Sequence, residues 1–542
     1  MHQSIRPICR ISALLLTFTA LFAIAARADE VDKPRTFRVE RFQVEGNSLL
    51  PSDAIASVVA PFGGGARQLS DLYGAAEALQ TLYREAGYPV VQVALPEQKL
   101  DDGVVQLRVI EGRFKEIQVN GNKEYSSEQI RTSLPSLKEG TSPQVRQLDR
   151  DIRQANENPG RRLAVNLQPG GALGEIKARV DVSDEKIERY LATLDNTGTR
   201  QTGFWRLGLG YQHANVAQRQ HVFSFQYVTA PERLKDVQVL SAGYRIPLPA
   251  QASSLDLMMA YSNVKAGVTP TVVGSLFFAG EGAIFGIKLT RRLESLPEWE
   301  HKLSLGLDIK DFRNECALGV FGAAGCGEAG ASIALHPVTV GYSGGLVQPA
   351  MQAQWNLSWS RNLPGGGRGG REDFITARAL SNPHFSVLRA GASAQWPLMS
   401  QWMLRLGGQL QDTRDALVMA EQFGVGGAQS VRGYAERAAS NDRGYSMNLE
   451  FYTPDLSNWL NVSNASLRGL LFLDSGTLFR NRRLATETGE TAGTRLTSVG
   501  IGLRASLGKN WSIVSDLGHV METTSGRAQG AQHVHFSLNG TF

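Results

Sequence analysis

From about residue 189 onward the chain alternates apolar and polar residues with a period of two, and few folds tolerate that pattern for so long. Met351, Ala353, Trp355, Leu357 and Trp359 interleave with Gln352, Gln354, Asn356, Ser358 and Ser360. Leu303, Leu305, Leu307 and Ile309 do so with Ser304, Gly306, Asp308 and Lys310, and Val499, Ile501, Leu503, Ala505 and Leu507 repeat the scheme. Successive side chains of a strand point to opposite faces, so each segment has one apolar and one polar face. About 16 such segments start near residues 187, 203, 220, 237, 255, 281, 301, 336, 350, 387, 401, 445, 466, 496, 511 and 533. Connections after even segments are mostly short (397–400, 507–510). Those after several odd segments are long (312–335, 362–386, 412–444, 477–495). A soluble sandwich also alternates but would keep both sets of loops short. Short turns on one side and long loops on the other predict an antiparallel transmembrane β-barrel with a polar interior.

Membrane helices are excluded independently. The mean hydropathy is −0.19, and no apolar run approaches the roughly 20 residues of a helical span once the N-terminus is set aside. At that N-terminus Arg6 and Arg10 precede an uncharged, mostly apolar stretch, 11–26, and Ala26-Arg27-Ala28 ends it with small residues. This reads as a secretory signal peptide, residues 1–28. Removing its three arginines lowers the formal net charge from +5 to +2, and with it goes the case for nucleic acid that the basic balance raised.

Residues 36–185 read as two copies of one α/β unit, 36–113 and 114–185, behind a short segment, 29–35. Val44-Glu45-Gly46-Asn47 recurs as Val119-Asn120-Gly121-Asn122, each closing a strand that begins its copy. In the first copy Leu72, Ala75, Ala76, Leu79, Leu82, Tyr83 and Ala86 form a helical stripe, with Ser70 as its expected cap and Gly87 its end. Strands are expected over 90–95 and 104–110. In the second copy a long helix is expected over 145–157 and strands over 162–167 and 175–183. Glu45, Glu111, Asp101 and Asp102 lie at strand ends and turns, where carboxylates are solvated. Small modules with open strand edges suit the capture of an extended peptide by strand addition.

Enzyme and cofactor readings find no footing. The run Gly365-Gly366-Gly367-Arg368-Gly369-Gly370 lacks the Gly-Lys-Ser/Thr of a phosphate loop. His533 and His535 share a strand face, but no third ligand accompanies them. Of the 3 cysteines, Cys9 leaves with the signal. Cys316 and Cys326 share one long outer loop in an oxidising compartment, so a disulfide is expected. Neither a metal nor another cofactor is expected.

Val431-Arg432-Gly433-Tyr434 in the long loop 412–444 and Phe472-Leu473-Asp474-Ser475-Gly476 on a later strand resemble the two-partner secretion transporters (TpsB type) of the superfamily of barrels with polypeptide-transport-associated (POTRA) domains. The resemblance covers the mature chain and implies two POTRA-like domains before a 16-stranded outer-membrane barrel, 186–542. It implies export of a large unfolded partner protein, adhesin- or haemolysin-like, from periplasm to cell surface. It also implies that the loop folds into the barrel and that Arg432 pairs with Asp474. From the residues alone, Leu467, Leu471 and Leu473 face lipid, so Phe472 and Asp474 point inward, where a carboxylate wants an arginine. Gly433 allows a tight turn, and Tyr434 packs on the wall. A terminal Phe542 after an alternating strand resembles the signal read by the barrel-assembly machinery. Family members commonly carry an N-terminal plug helix; residues 29–35 leave no room for one, so the loop is expected to carry the gating. An insertase for other barrels and a passive porin are the alternatives.

Overall fold

The computed structural model describes residues 36–542 apart from 101, 200–201, 265–266, 272–273, 279–280, 294–297, 314–330, 458–463, 483–492 and 525. The signal peptide, the segment 29–35 and the cysteine pair Cys316 and Cys326 lie outside the described residues.

The first α/β domain is built as its patterning dictates. Arg41–Glu45 pairs in parallel with Val104–Ile110, and helices Ser52–Val59 and Leu69–Glu85 follow the first strand. Val39, Leu72, Ala75, Leu79, Val105 and Leu107 are buried. The helix starts one residue before the expected Ser70 cap. The Asp71 carboxylate accepts the Gln68 N–H at 2.8 Å, which supplies the capping that Ser70 was expected to give. The strand expected over 90–95 shrinks to Gln92–Ala94, because Pro89 and Pro96 bracket it and neither can donate to a ladder. The opening strand, expected to run unbroken through Phe37, Val39, Phe42 and Val44, is split at Glu40, and its first part, Thr36–Val39, pairs with Gly65–Gln68, a strand that patterning did not reveal.

The second copy has the same order. Arg113–Asn120, Glu175–Asp184 and Arg161–Pro169 form a sheet with Glu175–Asp184 central. Helices Ser127–Thr132, held by a capping box of Ser126 and Gln129, and Val145–Ala155 cover it. The recurring glycine has one physical origin: Gly46 and Gly121 both take φ +83°. A Cβ on either would sit 2.3 Å from a carbonyl oxygen of the neighbouring strand, Val109 or Val182. Only glycine fits both demands. The long helix ends at Ala155, two residues before expectation, leaving Glu157 and Asn158 in a loop.

Among the described residues sixteen antiparallel strands close on themselves, from Glu188–Asp195 to Gln532–Thr541. Ile333–Leu335 and Pro337–Gln348 pair end to end with Trp299–Arg313 and count as one strand broken at His336. Each of the sixteen lies at an expected segment. The closing seam pairs Asp195 with Ser537 through Leu191 with Thr541. Phe542 exchanges both backbone hydrogen bonds with Tyr190 (2.9 and 3.1 Å), and its ring meets Trp511 edge-on at 5.1 Å.

The alternation sorts by environment as a barrel requires. Leu303, Leu305, Leu307 and Ile309 are 43–53% exposed on the outer wall, and Leu471 and Leu473 are exposed there too, whereas Phe472 and Asp474 are buried inside. Aromatic pairs such as Trp402 stacked on Phe451 (4.9 Å) mark one rim of the apolar belt. No helix among the described residues is long and apolar enough to cross a membrane.

Candidate functional site

The loop between strands Met403–Asp412 and Arg443–Tyr452 turns into the barrel instead of outward. Its limbs pair as a small hairpin, Phe423–Val425 with Ala439–Asn441. Val425, Val431 and Tyr434 are fully buried against Leu478, Leu496 and Val520 of the wall. Gly476 makes room for this seat: a Cβ there would press on Val425 and Val431 at 3.1 and 3.2 Å. Tyr434 donates its hydroxyl to the carbonyl oxygens of Glu522 (2.7 Å) and Thr497 (3.2 Å).

At the loop tip Arg432 meets Asp474 on strand Ala465–Phe479. Its Nε and one terminal nitrogen each donate to a different carboxylate oxygen at 2.7 Å, and its backbone N–H donates at 3.1 Å. This two-pronged geometry matches the planar fork of guanidinium to the carboxylate. The other terminal nitrogen donates to Glu450 (2.8 Å) and lies 3.6 Å from Asp516. The Phe472 ring lies under the guanidinium at 3.6 Å. Arg405 pairs in turn with Glu450 and Arg504 with Asp516, so three arginines balance three carboxylates. Such a network is satisfied in a low-dielectric setting where an unpaired member would be costly.

Gly433 takes φ +91° and passes within van der Waals reach of Gly518; a Cβ on Gly518 would come within 2.5 Å of the Gly433 nitrogen. The Gly433 N–H donates to His535 Nε2 at 3.0 Å, so this histidine is a hydrogen-bond acceptor that holds the loop. Beside the loop lies an open cavity of about 1090 Å³ inside the barrel, whose lining includes Thr193, Asn539, Arg405, Arg432 and Arg504.

Sequence reasoning named the Arg432 and Asp474 pair but missed Glu450, Asp516 and His535. Strand parity contained the signal: Glu450 and Asp516 are polar residues on lumen-facing positions. His535 was weighed only as a ligand. Among the described residues no cluster of three His, Cys, Asp or Glu side chains could hold a metal ion.

A second cluster lies where the second α/β domain abuts the barrel. Glu157 sits 2.8 Å from Lys302 and 3.6 Å from Arg245, and also pairs with Arg292. Asn158 donates to the carbonyls of Ala214 (2.8 Å) and Gln220 (3.1 Å), and Gln154 to that of Ser253 (2.8 Å). Arg161 donates to Gln220 and to Ser133, and its guanidinium covers the Tyr125 ring at 4.6 Å. Burial lowers the Arg161 pKa to about 10 and raises the Tyr125 phenol to about 12.

Comparison with known proteins agrees with this architecture. The profile of the haemolysin secretion/activation proteins ShlB/FhaC/HecB matches residues 174–505, and that of the ShlB-type POTRA domain matches residues 37–112. The heme/hemopexin transporter protein HuxB of Haemophilus influenzae is 23% identical over 488 residues, 86% of this chain and 80% of that protein. The outer membrane transporter CdiB of Dickeya dadantii is 23% identical over 223 residues, 41% of this chain and 39% of that protein. The solved structure of CdiB from Escherichia coli shares the fold, with a TM-score of 0.75 at 18% identity over 96% of this chain and 93% of that one.

Proposed function

Because this chain belongs to the haemolysin secretion/activation (ShlB/FhaC/HecB) family, outer-membrane transporters of two-partner secretion with periplasmic POTRA-like domains, we propose a division of labour between its parts. The POTRA-like domains take up an extended segment of one large, unfolded partner by adding it to an open sheet edge. The lumen conducts the segment outward, and folding of the partner at the cell surface gives the movement its direction. The barrel-assembly machinery inserts the chain, and outer-membrane lipid covers its apolar belt. No chemical step is required of any residue.

The observation that carries this reading is the inward loop held at its tip by Arg432 on Asp474 and Glu450. The loop and its buried ion network obstruct the lumen in one fixed position. A gate needs a loop that has one well-defined closed seat. Phe472, Asp474 and Gly476 on the wall serve as the socket, and Val431, Arg432, Gly433 and Tyr434 on the loop as the key.

Co-expression with the secreted partner tests the reading. Arg432→Ala and Asp474→Ala are expected to abolish surface appearance of the partner while heat-modifiable, assembled barrel persists in the outer membrane. Unimpaired secretion by both variants would remove this pair from the mechanism. Failure of other outer-membrane proteins to assemble, with the partner still exported, would favour the insertase alternative.

A further inference from the structure

The outer loops of the barrel converge on one carboxylate that the export motif does not include. Asp442, fully buried at the foot of strand Arg443–Tyr452, receives Arg378 on both oxygens; the second of these bonds measures 3.0 Å. It also accepts the backbone N–H groups of Leu417 and Asn481, each at 2.8 Å. Arg378, 2% exposed, donates in addition to the Leu417 carbonyl. The Asn481 side chain returns to the carbonyls of Thr413 (2.8 Å) and Asp415 (2.9 Å), and Asp415 accepts from the Ser386 N–H (3.0 Å) and the Asn382 amide.

Three different connections therefore meet here: 363–385, which contains helix Arg371–Ala377; 413–442, which carries Arg432; and the start of 480–492. Leu417 and Asp442 lie at the two ends of the Arg432 loop. Around the polar centre Phe374, Ala377, Phe385, Leu417 and Val418 pack on the wall residues Val239, Ile284, Phe312 and Ile333. Glu421 adds a second tie, from the same loop to Lys310 and Arg389 on separate strands, each at 2.7 Å.

We propose that Arg378 and Asp442 are positioning residues for the export loop: they clasp both of its ends and seal the outer mouth of the lumen. The seal rests on geometry that a loose surface would not keep. Four donors share one desolvated carboxylate, and apolar side chains exclude water around it, so its loss leaves a buried guanidinium without its counter-charge. The closed state then weakens as a whole, because the two feet of the loop separate while its tip remains on Asp474. The link to transport rests on the export reading, whereas the closure itself is measurable without any partner.

The test is ion conduction by the purified full chain in planar lipid bilayers. Asp442→Ala is expected to shift the closed-to-open ratio by roughly tenfold or more towards open, as loss of a state-specific contact does in a two-state equilibrium. Asp442→Asn, which keeps an acceptor but not the charge, should fall between it and the native chain. Ser381 and Ala416 bridge two of the clasped connections. In a Cys316→Ser, Cys326→Ser background, oxidised Ser381→Cys/Ala416→Cys should return the Asp442→Ala channel to native conduction, and reduction should release it. An assembled Asp442→Ala barrel that conducts like the native chain overturns the proposal. Where Asp442→Ala fails to assemble, the cross-link alone decides. Oxidation should suppress open events and partner export reversibly, and equal behaviour of oxidised and reduced forms overturns it. Unchanged export alongside altered conductance would strike the export reading and leave the clasp standing.

Discussion

The barrel is gripped at two places by a single carboxylate each, and the two grips differ in kind. At the junction with the second α/β domain, Glu157 faces Arg245, Arg292 and Lys302 with its side chain 24% exposed. Every one of those cations has a second anionic partner, Asp256 for Arg245 and Glu300 for the others. At the outer mouth, Asp442 is wholly buried, and among the described residues the ion pair of Arg378 is with Asp442. The first is a shared, wet contact that can be broken without stranding a charge. The second strands a charge whenever it breaks.

The largest effect should come from the dry side. Arg378→Ala leaves the Asp442 carboxylate buried with its backbone donors only, at a cost of about 3–5 kcal/mol to the clasped arrangement. Hydrogen exchange of the amides of Leu417 and Asn481 should accelerate accordingly, while amides of strand Ala465–Phe479 keep their protection. Equal acceleration across both would show the clasp to be part of the barrel wall and would erase the contrast.

Glu157→Gln should do far less. Its three cations retain partners and Glu157 keeps contact with solvent, so the change is worth ~1 kcal/mol or less and should be mimicked in part by raising salt in the native chain. Exchange around Asn158 and Arg161 is the readout. A salt-independent loss as large as that at Arg378 would mean the junction is as rigid as the lid.

A smaller, pH-dependent effect belongs to the same domain. Burial pushes the Asp151 carboxyl above its ordinary value, against the opposing hydrogen bond from the Ser136 N–H at 2.8 Å. A raised folded pKa means that the native state holds the proton more tightly than the unfolded chain. Stability therefore declines as pH rises from the unfolded value, about 3.9, through the folded one. Asp151→Asn should flatten this slope in exchange of helix Val145–Ala155; a slope unchanged by the substitution would assign it to another group.

How much of this was legible depended on whether the signal was periodic or convergent. The sixteen strands were readable because each writes its own two-faced pattern, and Gly46 and Gly121 because one steric constraint was stated twice. Asp474 was readable as an inward carboxylate because strand parity aims it there, and Arg432 as its partner through the resemblance to the two-partner secretion transporters. The clasp was not. Arg378, Asp442 and Asn481 sit in three separate connections, and no local rule tells that a loop aspartate will be desolvated by the folding of two others. Glu157 stayed hidden behind a helix boundary: an expected end at 157 kept it on a helix surface, and the actual end at Ala155 releases it to the barrel.

The closing seam carries a consequence for how the chain becomes a barrel. Every other neighbouring pair of strands is consecutive in the chain, joined by a short turn on one side of the barrel and by a longer loop on the other. Strands Glu188–Asp195 and Gln532–Thr541 share five paired residues, Leu191 to Asp195 with Ser537 to Thr541, across nearly the whole length of the barrel sequence. Loop-closure entropy makes such a contact the slowest to find. The sheet must curl almost completely before its ends recognise each other, and the cylinder exists as an open ribbon until its first and last strands meet.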